Sequence, residues 1–128
     1  MMTRKIFAVS LLLMLTGVFA YAQEAAKTVT VKGYLIDNMC AGSPGEDKDY
    51  ADDAKEHKTG CALMPGCAKS GFAVAEGRKL YKLDEAGNKL ATDVLNTTKT
   101  RKGLMVEVEG TVEGTTLHAT KLVEVAAK

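Results

Sequence analysis

The stretch Leu104-Met105-Val106-Glu107-Val108-Glu109-Gly110-Thr111-Val112, followed by Glu113-Gly114 and then Thr115 to Val125, decides how this chain folds. Leu104, Val106, Val108, Gly110 and Val112 fall on one face, and Met105, Glu107, Glu109 and Thr111 on the other. Successive side chains of a strand point to opposite faces, so this alternation predicts a half-buried β-strand. Glu113-Gly114 is a hairpin turn. The returning strand places Leu117, Ala119, Val123 and Val125 in phase and leaves Lys121 out of phase, which a bulge near Lys121 explains.

Upstream, the same reading predicts three more strands. Thr28 to Ile36 alternates Val29 and Val31 against Thr30 and Lys32, with Gly33 marking a bulge or a close backbone approach. Phe72 to Ala75 and Lys79 to Leu83 flank the tight turn Glu76-Gly77-Arg78. Asp84 to Lys89, with Gly87-Asn88, reads as a turn. Leu90, Val94 and Leu95 then have the spacing of a short amphipathic helix. Five strands with a helix between the third and fourth give the order of a small OB-like barrel, interrupted after the first strand by a cysteine-rich insertion over 37–71. Val31-Lys32-Gly33 and Val108-Glu109-Gly110 look alike and suggest two bends of one kind.

The chain begins with an address. Arg4 and Lys5 precede an apolar run from Ile6 to Phe19, and Ala20-Tyr21-Ala22 has the form of a signal-peptidase site. The run is shorter than the roughly 20 apolar residues a membrane span needs. Residues 1–22 therefore read as a cleaved signal peptide and 23–128 as one exported domain, periplasmic or secreted. The leader takes two of the 17 basic residues and none of the 16 acidic ones, leaving a mature charge of −1. That balance gives no reason to expect nucleic acid or an anionic membrane as partner.

All three cysteines, Cys40, Cys61 and Cys67, lie in the insertion. Export exposes them to oxidising conditions, and an odd number leaves one thiol that stays free, binds a metal or pairs with a second molecule to make a dimer. His57 lies four residues before Cys61, a spacing that shares one face of a helix. Two chemistries compete. Cys40, His57, Cys61 and Cys67 form a tetrahedral donor set for zinc, and the neighbouring Met39 and Met64 shift the preference toward Cu(I). Asp37 then supports the ligands from behind. A disulfide would instead staple the insertion to the barrel, at about 2–4 kcal/mol. A third reading makes one cysteine a redox or catalytic thiol, with His57 as its base. The acidic run Glu46 to Glu56 fails the calcium-loop spacing, because, counted from Asp47, Ala51 sits at the fifth position and no glycine follows at the sixth. Tyr34, Phe72 and Tyr81 are the stacking candidates if the barrel face binds oligosaccharides or oligonucleotides.

The residues Gly33 to Cys40, His57 and Cys61-Ala62-Leu63-Met64-Pro65-Gly66-Cys67-Ala68-Lys69-Ser70-Gly71-Phe72 resemble a group of small exported bacterial proteins of unknown function. Their shared pattern is Gly-x-x-x-Asp-x-x-Cys, an insertion holding a His, two further cysteines, and a Ser-Gly-aromatic entry to a strand. Asp37, Cys40, His57, Cys61 and Cys67 match it position by position; Ala41 departs from a common glycine. The resemblance implies an OB-like barrel in the bacterial envelope and supplies no activity. The overall expectation is an exported, non-enzymatic binding module with a Cys/His cluster.

Overall fold

The computed structural model describes residues 27–127, so the proposed signal peptide lies outside the described residues. The elements run β1 (Thr28–Asp37), α1 (Asn38–Ala41), α2 (Tyr50–Lys55), α3 (Thr59–Ala62), α4 (Pro65–Lys69), β2 (Phe72–Glu76), β3 (Lys79–Leu83), α5 (Glu85–Thr97), β4 (Met105–Glu113) and β5 (Thr116–Glu124). The protein is mainly β, and its five strands close into a ring in the order β1-β2-β3-β5-β4. All pairings are antiparallel except β3 with β5, joined in parallel at Lys82–Thr116 and Leu83–Leu117.

One long strand serves two neighbours. Thr28 to Tyr34 of β1 pairs with β4, and Tyr34 to Asp37 pairs with β2. Gly33 sits just before this exchange, where a Cβ would lie 2.3 Å from the Ala75 carbonyl oxygen. Gly110 plays the matching part on β4, where a Cβ would lie 2.1 Å from the His118 carbonyl oxygen. The ladder between β4 and β5 slips at this point: Glu109 faces Lys121 while Gly110 faces Ala119. Thr120 is the extra residue of a bulge, as the misphased Lys121 suggests. The bulge also reverses the phase beyond it, so Leu122 enters the core and Val123 turns outward. This corrects the expectation that Val123 lies on the core face.

Two apolar clusters result. The interior of the ring is filled by residues that include Val31, Leu35, Phe72, Val74, Leu104, Val106, Val108 and Leu117, with Ala91 and Leu95 of α5 packed against them. A smaller cluster of Ile36, Ala41, Tyr50, Ala54, Ala73, Ala75 and Leu80 lies on the opposite face of β1 and β2. Strand β2 is thus buried on both faces. The small side chains of Ala73 and Ala75 let α2 approach the sheet closely.

Helix content exceeds the single short helix read from the sequence. The insertion folds into four short helices, of which polar side chains cap the first two. Asp37 caps α1 by accepting from Cys40 N at 2.9 Å, and Asp49 caps α2 by accepting from Ala51 and Asp52 N. Pro65 opens α4 at a position where a missing N–H costs nothing. Gly87-Asn88, read above as a turn, lies inside α5, which starts at Glu85 behind its cap Asp84. A Cβ at Gly87 would meet Leu83 and Ala119 at 2.9 and 3.1 Å, so glycine here serves close packing of α5 on the sheet rather than a turn.

Asp84 ties that helix to β5. Its Oδ1 accepts from Gly87 N at 2.9 Å and Ala119 N at 3.2 Å, and His118 Nδ1 lies 3.4 Å from Oδ2. Partial burial pushes the carboxyl upward, but the two backbone donors and His118 outweigh it and hold it below its usual range. Stability from this group is therefore present above the unfolded carboxylate value, about 3.9, and is lost as pH falls through the lower folded value. Asp84→Ala should cost about 1 kcal/mol at pH 7, with the gap to wild type closing below about pH 4 in urea titrations. Gly33→Ala and Gly110→Ala should each cost about 1–3 kcal/mol by overpacking. A melting temperature unchanged by either glycine substitution would contradict the close approach.

Candidate metal centre

The candidate site forms where β1 ends and the insertion begins. Asp37 is the last residue of β1 and the cap of α1, and it is fully buried. Its Oδ1 is used by the Cys40 amide. Its Oδ2 lies 2.8 Å from His57 Nε2, yet neither atom completes a hydrogen bond. Cys40 Sγ joins them: one ligand atom each from Asp37, Cys40 and His57 lie within 4.8 Å of one another. The two atoms stand at ion-pair distance from each other, and with Cys40 Sγ they bring oxygen, nitrogen and sulfur donors to one place.

Cys67 stands next to this group. Its thiol and that of Cys40 are coupled electrostatically to each other and to the Asp37 carboxylate. Of the four residues expected to act as ligands, the fold gathers Cys40 and His57 tightly with Asp37 and leaves Cys67 near them but outside that group of three. Cys61 lines an open groove with Lys58, Leu63, Leu95 and Arg101. All three cysteines are free thiols.

Two sequence expectations change here. Asp37, read as outer support, offers an oxygen directly to the cluster. His57 and Cys61 do not share a helix face, because His57 lies in the link between α2 and α3 and only Cys61 is helical. The His57 backbone is instead fixed by distant residues. Its N–H donates to Ala54 O at 3.1 Å, its C=O accepts from Gly103 N at 3.0 Å, and Thr59 N donates to Arg101 O at 3.0 Å. Gly103 has φ +65°, and a Cβ there would lie 2.6 Å from Lys55 O. Only glycine fits this positioning residue.

Helices α1 and α4, which carry Cys40 and Cys67, are tied by Ser70. Its hydroxyl donates to Cys67 O at 2.6 Å and accepts from Met39 N at 3.1 Å. Asn38 Nδ2 donates to Ser70 O at 2.8 Å, and Asn38 N to Gly71 O at 2.9 Å. Gly71, at φ +82°, then turns the chain into β2, where Asn88 Oδ1 accepts from Phe72 N. The Ser-Gly-aromatic signature is thus a latch that sets Cys67 beside Cys40. Phe72 itself lies in the core, 1% exposed, and Tyr34 and Tyr81 pack half-buried against the two clusters. Phe72 is therefore unavailable for stacking.

The electrostatics disfavour a nucleophilic thiol. Loss of water around the sulfur, then the charge of Asp37 and the hydrogen bonds to Asp37 and Cys67, push the Cys40 thiol up to about 11. Cys67 is raised as well, first by burial and then by Asp37. Without a cation both are protonated at neutral pH and weakly reactive. Iodoacetamide should therefore alkylate Cys40 of the metal-free protein slowly at pH 7 and steadily faster toward pH 11. Asp37→Asn keeps an equivalent helix cap while removing the charge, so it should speed alkylation of Cys40 at pH 8–9. Fast alkylation of the native protein at pH 7 would contradict this.

No protein-family model matches the chain, and no curated protein or solved structure matches it closely enough to count as a relative, so its function is argued from this geometry.

Proposed function

We propose that the protein is an exported binding module on an OB-like barrel whose Asp37, Cys40, His57 and Cys67 hold a soft metal ion, zinc or copper. The observation that carries this reading is the gathering of one ligand atom each from Asp37, Cys40 and His57 within 4.8 Å of one another, with Asp37 Oδ2 and His57 Nε2 buried and 2.8 Å apart. Ligands of one tetrahedral zinc, at about 2.0–2.2 Å from it, stand roughly 3.3 Å apart. Binding thus asks the pair to open by only about half an ångström. Carboxylate and imidazole suit zinc, and thiolate suits both zinc and Cu(I). A cation also supplies the positive charge that the raised thiols lack, and it releases their protons to solvent on binding.

Export rests on the leader-like residues 1–22. Among the described residues no helix is long and apolar enough to cross a membrane. The OB-like assignment rests on the strand order and on the helix between β3 and β4.

One specific observation favours a second reading. The Cys40 and Cys67 thiols are coupled to each other electrostatically; no cysteine pair stands at disulfide distance among the described residues, so oxidation would have to draw these two together, making the cluster a structural staple and leaving Cys61 free.

Native mass spectrometry of the exported protein, with thiol counting after denaturation, separates the two. The metal reading expects one bound ion and three reactive thiols on unfolding. A mass two hydrogens below the reduced chain, with one reactive thiol and no metal, would replace it with the staple. Cys40→Ser and His57→Ala should each weaken zinc binding at least tenfold, and Cys61→Ser much less. The zinc-dependent rise in melting temperature should shrink in step with the lost affinity.

A further inference from the structure

Among the described residues three large apolar side chains stand exposed: Met39, Met64 and Val123. Val123 is turned outward by the β5 bulge. The two methionines are different. Met39 is 64% exposed and Met64 56%, and both flank the thiol cluster. Met39 precedes Cys40 in α1, and Met64 is the cap residue of α4, the helix that carries Cys67.

A methionine is ordinarily a core-filling residue, and neither belongs to either apolar cluster. Their placement is also not left to chance. The Met39 N–H is held by Ser70 Oγ. A Cβ at Gly66 would come 3.8 Å from the Met39 methyl carbon, so the Met39 side chain reaches over the start of α4, two residues from Met64. Two thioether sulfurs thus rim the helices that carry the Cys40 and Cys67 thiols.

Resting on the metal reading above, we infer that Met39 and Met64 form a thioether port that admits Cu(I) to the site. Thioether is a neutral, soft donor that binds Cu(I) and leaves zinc to nitrogen, oxygen and thiolate. A neutral donor also adds no charge to a site already holding a buried carboxylate. Such a donor captures Cu(I) at the surface and passes it inward to the stronger thiolate and imidazole ligands. The ion keeps its oxidation state, and the thiols give their protons to solvent as their sulfurs bind the metal.

The test uses the metal-free mature protein under anaerobic, reducing conditions. Cu(I) is supplied as its complex with a chromophoric chelator, and Zn(II) in a parallel experiment from a chromophoric zinc chelator. Met39→Leu/Met64→Leu keeps size and apolarity while removing both sulfurs. The wild type should take one Cu(I), and the double variant should do so at least tenfold more slowly, with Zn(II) uptake unchanged. Equal Cu(I) transfer rates in the two proteins, or an equal slowing of both metals, would overturn the port while leaving the metal site standing. Failure of the wild type to bind either ion would remove the metal reading itself.

Discussion

Asp37 is the group on which the rest depends. It ends β1, caps α1 and is wholly withdrawn from water. A carboxylate in that position is tolerated only if its oxygens are answered. One is answered by the Cys40 amide, and that bond starts the turn which presents the Cys40 thiol. The other is left facing His57. The geometry of the insertion follows from satisfying the first oxygen, and its chemistry from the need to satisfy the second.

The ring and the insertion are built to meet at this residue. Gly33 lets β1 pass against β2 without a side chain in the way, so the same strand can pair with β4 early and with β2 late. The pairing of Asp37 with Phe72 then fixes where β2 must begin. Ser70 and Gly71, just before it, bring α4 and Cys67 back to α1. His57 comes from a third direction and is held by Gly103, in the approach to β4. Four separated pieces of chain therefore converge through strand pairing, and no local spacing rule places them.

This explains what could be read in the sequence and what could not. Alternation marked β1, β4 and β5, since period 2 survives where one face is buried, and the break at Lys121 disclosed the bulge; β2, buried on both faces, was legible only from the turn beside it. The bulge's effect on phase was not visible, so Val123 and Leu122 were exchanged. Gly87-Asn88 imitated a turn because a glycine chosen for close packing looks the same in a sequence as one chosen for a positive φ. The short helices of the insertion were hidden because each is only four to six residues long, too short to show an apolar periodicity. At the site, residue types gave Cys40, His57 and Cys67. The direct role of Asp37 and the positioning by Gly103 depend on burial and on contacts between residues far apart in the chain.

The two apolar clusters differ in substance. The ring interior holds Phe72 and many leucines and valines. The cluster under α2 has four alanines among its buried members and one large aromatic, Tyr50. Less buried apolar surface means a smaller free energy of local opening. Helix α2 is therefore the piece of the insertion held least firmly, because Ala62 of α3 and Ala68 of α4 pack into the ring interior instead. His57 follows α2 in the chain, whereas Cys67 stays with the ring-anchored α4. The amide protons of α2 would exchange with solvent ahead of those in β1 and β4, and lifting of α2 would draw His57 away from Asp37 and Cys40 while the ring stays closed.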